Sequence, residues 1–241
     1  MKLVHALAVL AVAGSTAAPA GAQVPTSTED IIPSSSGPGR SEIQQSDAVF
    51  RDLIACVIRY QPGRTRNLLD TIPGTHDEAN ILYSFQSRME TCFNASRVGG
   101  RALFFPTPVL RGAIAEAYYR QEFPNGATAP APAEAATGWA QPRRSDDEVT
   151  QAEMIHSMAR CVTVRQPAGV KAVLDAPPLS PQELAAIRAI QADLSACLDS
   201  NVSFNASRQA VRALLAEAAL HYGEAQRNGW DRVGRGRSGR D

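Results

Sequence analysis

A repeated pattern of cysteines and prolines is the sequence feature that most constrains how this chain folds. When the chain is shifted by 105 positions, Cys56 falls on Cys161 and Cys92 falls on Cys197. Ten identities occur without a gap over the 37 positions from the first cysteine to the second. Because helical solenoid repeats span only roughly 34–47 residues, this period favours two tandem modules. The other identities, each matched 105 positions later, are Val57, Gln61, Pro62, Leu69, Asp70, Pro73, Glu78 and Gln86.

Each copy carries the pattern of consecutive helices. Apolar residues recur at helical spacing across 49–58, and Pro62 and Gly63 end that helix. A short helix is predicted over 64–70, and the last helix of the first copy begins at Thr107. We find no alternating strand pattern longer than three or four residues.

Two capping boxes mark the start of one helix in each copy. Thr75 is followed three residues later by Glu78, and Ser180 by Glu183. In this motif the hydroxyl accepts a backbone N–H of the first turn and the glutamate reaches back. One continuous helix is predicted from each cap to the following cysteine. The predicted fold is therefore all-α, a tandem duplication of a three-to-four-helix module.

The N-terminus has the pattern of a secretory signal peptide. Met1 and Lys2 precede an apolar run over 3–13, and small residues lead to Ala22. A membrane anchor needs about 20 continuous apolar residues, and no later segment is that long and apolar. We expect cleavage near Ala22 and a periplasmic or secreted protein with no transmembrane segment.

Four cysteines in an exported chain are expected to be oxidised. Three pairings are possible. If each module folds alone, each must close its own bridge, which selects Cys56–Cys92 and Cys161–Cys197. Thiol exchange or metal binding would favour a Cys-x-x-Cys motif or clustered Cys and His, and neither is present.

Composition divides the rest of the chain into segments that pack and segments that connect. Stretches rich in Ser, Pro, Gly and Ala, or lacking an apolar repeat, are predicted to be flexible. The predicted segments are a signal peptide (1–22), a flexible leader (23–45), module 1 (46–120), a Pro/Ala-rich linker (121–144), module 2 (145–224) and a flexible Arg/Gly tail (225–241).

Charge and motifs exclude several functions. The chain has 24 basic and 24 acidic residues, so a surface that binds nucleic acid is not expected. None of the mature histidines has a partner at a metal-ligand spacing, and no nucleotide or catalytic motif occurs. We predict no cofactor and no metal.

Polar residues that recur in both copies are the candidate site. Arg111 and Glu116 on the last helix of module 1 correspond to Arg212 and Glu217 in module 2. One interpretation is a duplicated interaction surface, since exposed Arg often anchors interfaces. The alternative is structural, with each arginine bracing Asp70 or Asp175.

The cysteine and proline pattern, followed by Leu-Arg-Gly-x-x-Ala-Glu-Ala at 110–117, resembles a group of uncharacterised exported bacterial proteins with one or two such helical modules. The resemblance covers both modules and implies export, disulfides and an all-α fold, but no activity. The second copy departs from the pattern with Ala213 in place of Gly112. A close backbone approach at this position is therefore not required in both copies.

The sequence favours a non-enzymatic exported protein that binds or scaffolds a macromolecular partner of the cell envelope. The alternative is a hydrolase without a recognised motif that uses carboxylates such as Asp70 or Asp175. Paired carboxylates in a deep cleft would favour the enzyme.

Overall fold

The computed structural model describes residues 40–95, 106–141, 151–198 and 206–230. These residues form ten helices and contain no strand, which confirms the all-α prediction. The predicted signal peptide (1–22) lies outside the described residues. The helices are α1 Arg40–Tyr60, α2 Pro62–Asp70, α3 His76–Ala95, α4 Thr107–Glu122, α5 Ala133–Ala140, α6 Gln151–Arg165, α7 Pro167–Asp175, α8 Pro181–Ala189, α9 Gln191–Cys197 and α10 Arg208–Asn228.

The two capping boxes begin α3 and α8. The N–H of Glu78 donates to Thr75 Oγ1 at 3.5 Å, and the N–H of Glu183 donates to Ser180 Oγ at 3.1 Å. The glutamate of α3 reaches further back than expected, because Glu78 Oε2 accepts the N–H of Gly74 at 2.7 Å. One oxygen of this carboxylate is thereby left for another partner.

The continuous helix predicted from Ser180 to Cys197 is wrong, because it divides at Ile190 into α8 and α9. The N–H of Ile190 donates to the carbonyl of Ile187, which tightens the turn. Ile190 is buried against α7, where a Cβ on Gly169 would lie 2.5 Å from Ile190 Cγ2. The break between α8 and α9 therefore lies at the residue that packs against α7.

Both predicted disulfides are present. Cys56 pairs with Cys92, and Cys161 pairs with Cys197, each across 36 residues and with Cα atoms 5.7 Å apart. The first bridge joins α1 to α3, and the second joins α6 to α9. Each bridge therefore closes within one half of the chain.

The long helices α4 and α10 pack on each other at the centre of the molecule. α4 also contacts α1 and α2, while α10 contacts α6 and α7. Buried apolar residues from both halves form one core, whose largest completely buried members are Leu53, Leu68, Leu69, Phe85, Ile114, Leu174, Ile190, Leu215, Leu220 and Tyr222. The two halves share this core, and the tandem duplication stays an interpretation of the sequence.

The segment predicted as a flexible linker, 121–144, contains helical and buried residues in its described part, 121–141. Its first two residues end α4, and residues 133–140 form α5. Trp139 is buried with its ring centroid 5.6 Å from that of Tyr222. The Tyr222 hydroxyl donates to the carbonyl of Ala129 at 2.7 Å. Trp139 and the carbonyl of Ala129 therefore attach this segment to α10, although its Pro/Ala composition is typical of a flexible linker.

The first and last helices extend into the segments predicted as a flexible leader and tail. Residues 40–45 of the leader belong to α1, and residues 225–228 of the tail belong to α10. Trp230 packs edge-on against Tyr222, with ring centroids 5.2 Å apart. The remaining residues of both segments, 23–39 and 231–241, lie outside the described part. None of the helices in the described ranges is long and apolar enough to cross a membrane.

Candidate functional site

The helices α4 and α10 lie very close to each other at Gly112. A Cβ placed on Gly112 would lie 2.2 Å from the Cα of Ala213. The two residues at the corresponding sequence positions therefore face each other across the helix pair. Gly112 and Ala213 thus take part in the same close contact, and only the first of them is glycine.

Arg111 of α4 is bound to a glutamate of α10. Its Nε donates to Glu217 Oε2 at 3.0 Å, and its Nη2 donates to Oε1 at 2.5 Å. Its Nη1 donates to Glu78 Oε1 at 3.0 Å and to the carbonyl of Leu68 at 2.8 Å. Glu78 thus binds an arginine in addition to capping the start of α3.

Arg212 of α10 makes the corresponding contacts in the opposite direction. Its Nε donates to Glu116 Oε2 at 2.8 Å, and its Nη2 donates to Oε1 at 2.7 Å. Its Nη1 donates to Glu183 Oε1 at 2.9 Å. It also donates to three backbone carbonyls at the end of α7, those of Val173 at 2.9 Å, Leu174 at 2.8 Å and Ala176 at 3.1 Å.

The four predicted site residues come together as two reciprocal ion pairs, but they do not form an exposed surface. Arg111 is 1% exposed, and Arg212 and Glu217 are each 5% exposed. Glu116 is partly buried. The expectation of a duplicated interaction surface is therefore wrong, because the two helices use these side chains to bind each other.

The acids considered as bracing partners or catalytic groups lie elsewhere. Asp70 and Asp175 are exposed at the last residues of α2 and α7, and Asp175 pairs with Lys171. The arginines are braced by the capping glutamates Glu78 and Glu183 instead. The bracing role was correctly considered, but its predicted partners were wrong. Their signal was present in the sequence as the two capping boxes, which we interpreted only as helix starts.

The ion pair of Glu217 is kept in one charge state by its surroundings. Burial would raise the pKa of Glu217, but the charges of Arg111 and then of His156 lower it overall, to well below its ordinary range. His156 Nδ1 lies 3.7 Å from Glu217 Oε1. Burial lowers the pKa of His156 to about 4, although the charge of Glu217 opposes that shift. At neutral pH the glutamate is ionised and the histidine is uncharged.

Beside the ion pair of Glu116 lies a second arginine, where the ion pair of Glu217 has His156. Arg120 donates to Glu116 Oε1 through Nε at 3.0 Å and through Nη2 at 2.9 Å. Burial would raise the pKa of Glu116, but hydrogen bonds and charge attraction from Arg212, followed by Arg120, lower it overall. Two guanidinium groups therefore share one carboxylate.

A cavity opens beside this second ion pair. It has a volume of about 480 Å³ and lies between α1, α4 and α10, next to the turn that precedes α8. Glu116 and Arg212 form part of its wall, and Arg120 lies in the wall with its side chain 49% exposed. Apolar residues supply most of the rest, among them Phe50, Ile54, Val109, Ala113, Ala117 and Pro178. This volume lies within the roughly 300–1,000 Å³ typical of small-molecule sites.

The described ranges contain no group of three His, Cys, Asp or Glu side chains that could hold a metal ion. Neither Asp70 nor Asp175 is among the residues that line the cavity. No protein family, curated protein or solved structure matches the chain. The wall of the cavity offers mainly apolar contact, together with charged side chains and the polar side chains of Ser207 and Gln209.

Proposed function

We propose that this protein is a non-enzymatic exported binding protein that holds a small apolar molecule in the cavity between α1, α4 and α10. The proposal rests on the cavity, whose volume and mainly apolar wall are typical of a small-molecule binding site. Its buried charges are already compensated within the protein. We propose a small molecule instead of the macromolecular partner that the sequence favoured, because the arginines that were expected to contact that partner are buried.

The proposed export is supported by the two disulfides, which form and persist in oxidising compartments. The signal-like sequence of 1–22 supplies the route. Expression of the full-length gene should yield a protein in the periplasm or medium whose N-terminal residue is Gln23. Retention of the intact N-terminus in the cytoplasm would contradict this part of the proposal.

The binding function is tested with the uncharged fluorescent dye N-phenyl-1-naphthylamine. We expect the dye to bind the wild-type protein with a saturable rise in fluorescence. Ala117 lines the cavity, so Ala117→Phe should weaken dye binding by about tenfold or more, since an aromatic ring occupies space the dye needs. Ala185 is exposed on α8 and is not among the lining residues, so Ala185→Phe is the matched control and should bind normally.

The two results that would contradict the binding function are easily recognised. The first is wild-type protein that gives no saturable signal. The second is a folded Ala117→Phe variant, judged by its helical circular dichroism, that binds the dye as well as the wild type does.

A further inference from the structure

We infer that the ligand is an extended, single-chain molecule with an uncharged hydrogen-bonding head, of the class of the long-chain alcohols. Its chain lies along α4, and its head lies beside Ser207 and Gln209 at the start of α10. This inference rests on the proposed function and adds the chemical class of the ligand.

The helices α4 and α10 run in the same direction. Gly112 faces Ala213 in the first half of each helix. Near the other end, a Cβ on Gly223 would lie 2.6 Å from the ring of Phe123, the residue that follows α4. The starts of both helices therefore lie at the same end of the cavity.

The cavity follows one face of α4 for three turns. The lining residues from Val109 to Arg120 recur every three or four positions, as residues on one face of a helix do. At 1.5 Å per residue this wall is about 16 Å long. Gly112, Ala113 and Ala117 lie in its middle, and their small side chains leave room for an alkyl chain beside the helix. The wall therefore suits an extended ligand better than a compact one.

Each charged side chain in the described wall of the cavity already has a partner within the protein. Arg212 and Arg120 both bind Glu116. Arg212 also binds Glu183, and Arg51 has a partner as well. A charged head group inside the cavity would therefore lose its hydration without gaining an unpaired counter-charge, which is unfavourable. The wall favours a ligand without charge.

Uncharged polar side chains lie at the end of the cavity where both helices begin. Ser207 and Gln209 line the cavity there, at the same end as Pro106 and Val109 of α4. A serine hydroxyl and a glutamine amide can each donate and accept hydrogen bonds, so both can bind an alcohol. The head therefore lies at this end, and the chain extends along α4 towards Ala117.

The test in the wild-type protein is displacement of N-phenyl-1-naphthylamine by 1-octanol, 1-methoxyoctane, octanoate and octyltrimethylammonium. 1-Octanol should bind about threefold more tightly than 1-methoxyoctane, because the ether cannot donate a hydrogen bond. It should bind about tenfold more tightly than either ion. A cavity that offered only apolar contact would prefer the ether, which leaves water more readily. Tighter binding of the ether, or equal binding of either ion, would overturn the inference.

Chain length and ring closure test the extended arrangement. Affinity should rise from 1-hexanol to 1-octanol and 1-decanol by roughly fourfold for each added methylene, since each one contacts more of the apolar wall. Cyclodecanol has the same number of carbons and the same hydroxyl as 1-decanol in a compact ring, and it should bind about tenfold more weakly. No rise beyond 1-hexanol, or equal affinity of cyclodecanol and 1-decanol, would contradict an extended ligand.

Two variants test the position of the head. Gln209→Leu should bind the dye normally but lose most of the preference for 1-octanol over 1-methoxyoctane. Gln182 is the matched control, because it is also an exposed second residue of a helix that follows a serine N-cap, and it is not among the lining residues. Gln182→Leu should therefore keep the full preference.

The full preference in Gln209→Leu, or its loss in Gln182→Leu as well, would overturn the placement of the head. Failure of the dye to bind the wild-type protein would instead remove the proposed function itself. Normal dye binding with the wrong order of the alcohol, the ether and the ions would remove only the chemical class of the ligand.

Discussion

Arg111 and Arg212 are buried charges, and their burial is tolerated because every side of each guanidinium meets an acceptor. Each binds one glutamate of its own half, one glutamate of the other half, and backbone carbonyls at a helix end. A buried ion pair can contribute little net stability, but removing one member leaves the other buried without a partner. Removal of either arginine should therefore destabilise the protein by more than the intact ion pair stabilises it.

Arg111→Ala should lower the free energy of unfolding by about 3–5 kcal/mol, because Glu217 and Glu78 would keep their buried charges without the arginine. Urea unfolding followed by circular dichroism measures this loss. Arg165 is the control, since its side chain is 52% exposed and pairs with Asp193, so Arg165→Ala should cost at most about 1 kcal/mol. Similar small losses in both variants would show that the buried pairs do not brace the helices.

His156 makes the stability of the protein depend on pH. Its folded pKa of about 4 is below the ordinary value of 6.5, so the unfolded chain takes up a proton first as the pH falls. The histidine therefore destabilises the fold increasingly as pH falls from 6.5 towards 4. Glu217 acts in the same direction at lower pH, because its lowered pKa contributes stability above the unfolded value that is lost on acidification.

The stability lost between pH 7.5 and pH 5.0 should be smaller in His156→Gln than in the wild type by about 2 kcal/mol. Urea unfolding at the two pH values gives the difference directly. His76 is exposed in the first turn of α3, so His76→Gln should leave the wild-type loss unchanged. If His156→Gln and the wild type lose the same stability, the neutral buried histidine is not the cause.

At the scale of helices, the spacing between α4 and α10 depends on the glycine at their crossing. Gly112→Ala places a Cβ 2.2 Å from the Cα and 2.4 Å from the carbonyl oxygen of Ala213, so no change of side-chain rotamer relieves the contact. The helices must separate, which should cost about 1–3 kcal/mol or more. In α5, Gly138 has nothing within 4 Å of an added Cβ, so Gly138→Ala should be neutral or stabilising by up to about 1 kcal/mol. Melting temperatures that rank the two variants in the reverse order would contradict this account.

Helix starts and disulfides were predictable from the sequence because their signals are local or are repeated. Thr75 and Ser180 each satisfy a backbone N–H of their own helix, and the cysteine spacing recurs unchanged. The packing of α5 was not predictable from composition, since it depends on Trp139 meeting Tyr222 from a distant helix. The pairing of Arg111 with Glu217 was missed for the same reason, because Glu217 is 106 residues away.

For the whole molecule, the exchange of ion pairs makes the two halves resemble the subunits of a symmetric dimer. The arginine of α4 binds the glutamate of α10, and the arginine of α10 binds the glutamate of α4. Contacts of this reciprocal kind are typical of two-fold interfaces. Together with the shared core, they indicate that neither half is complete without the other, although each closes its own disulfide.

Cutting the chain between the halves should therefore leave them together. The experiment inserts a specific protease site after Arg144 and cleaves it in the oxidised protein. No disulfide then links the fragments, because Cys56–Cys92 and Cys161–Cys197 lie on opposite sides of the cut. We expect the cleaved protein to elute from a size-exclusion column at the position of the uncut protein. The fragments are held together by the apolar core that they share. Two ion pairs between the halves also hold them, because separation would leave each charged side chain without its partner.

The same cleavage in the Arg212→Ala background should release a larger fraction of separate fragments on dilution, because Glu116 and Glu183 then lose their buried counter-charge. Cleaved Arg165→Ala, which alters an ion pair within the second half, should stay associated like the wild type. If the wild-type halves instead elute separately and each keeps its helical circular dichroism, they are independent domains that merely touch. The walls of the cavity come from both halves, so separation would remove the cavity between α1, α4 and α10. The column fractions that contain separate halves should then not bind the dye.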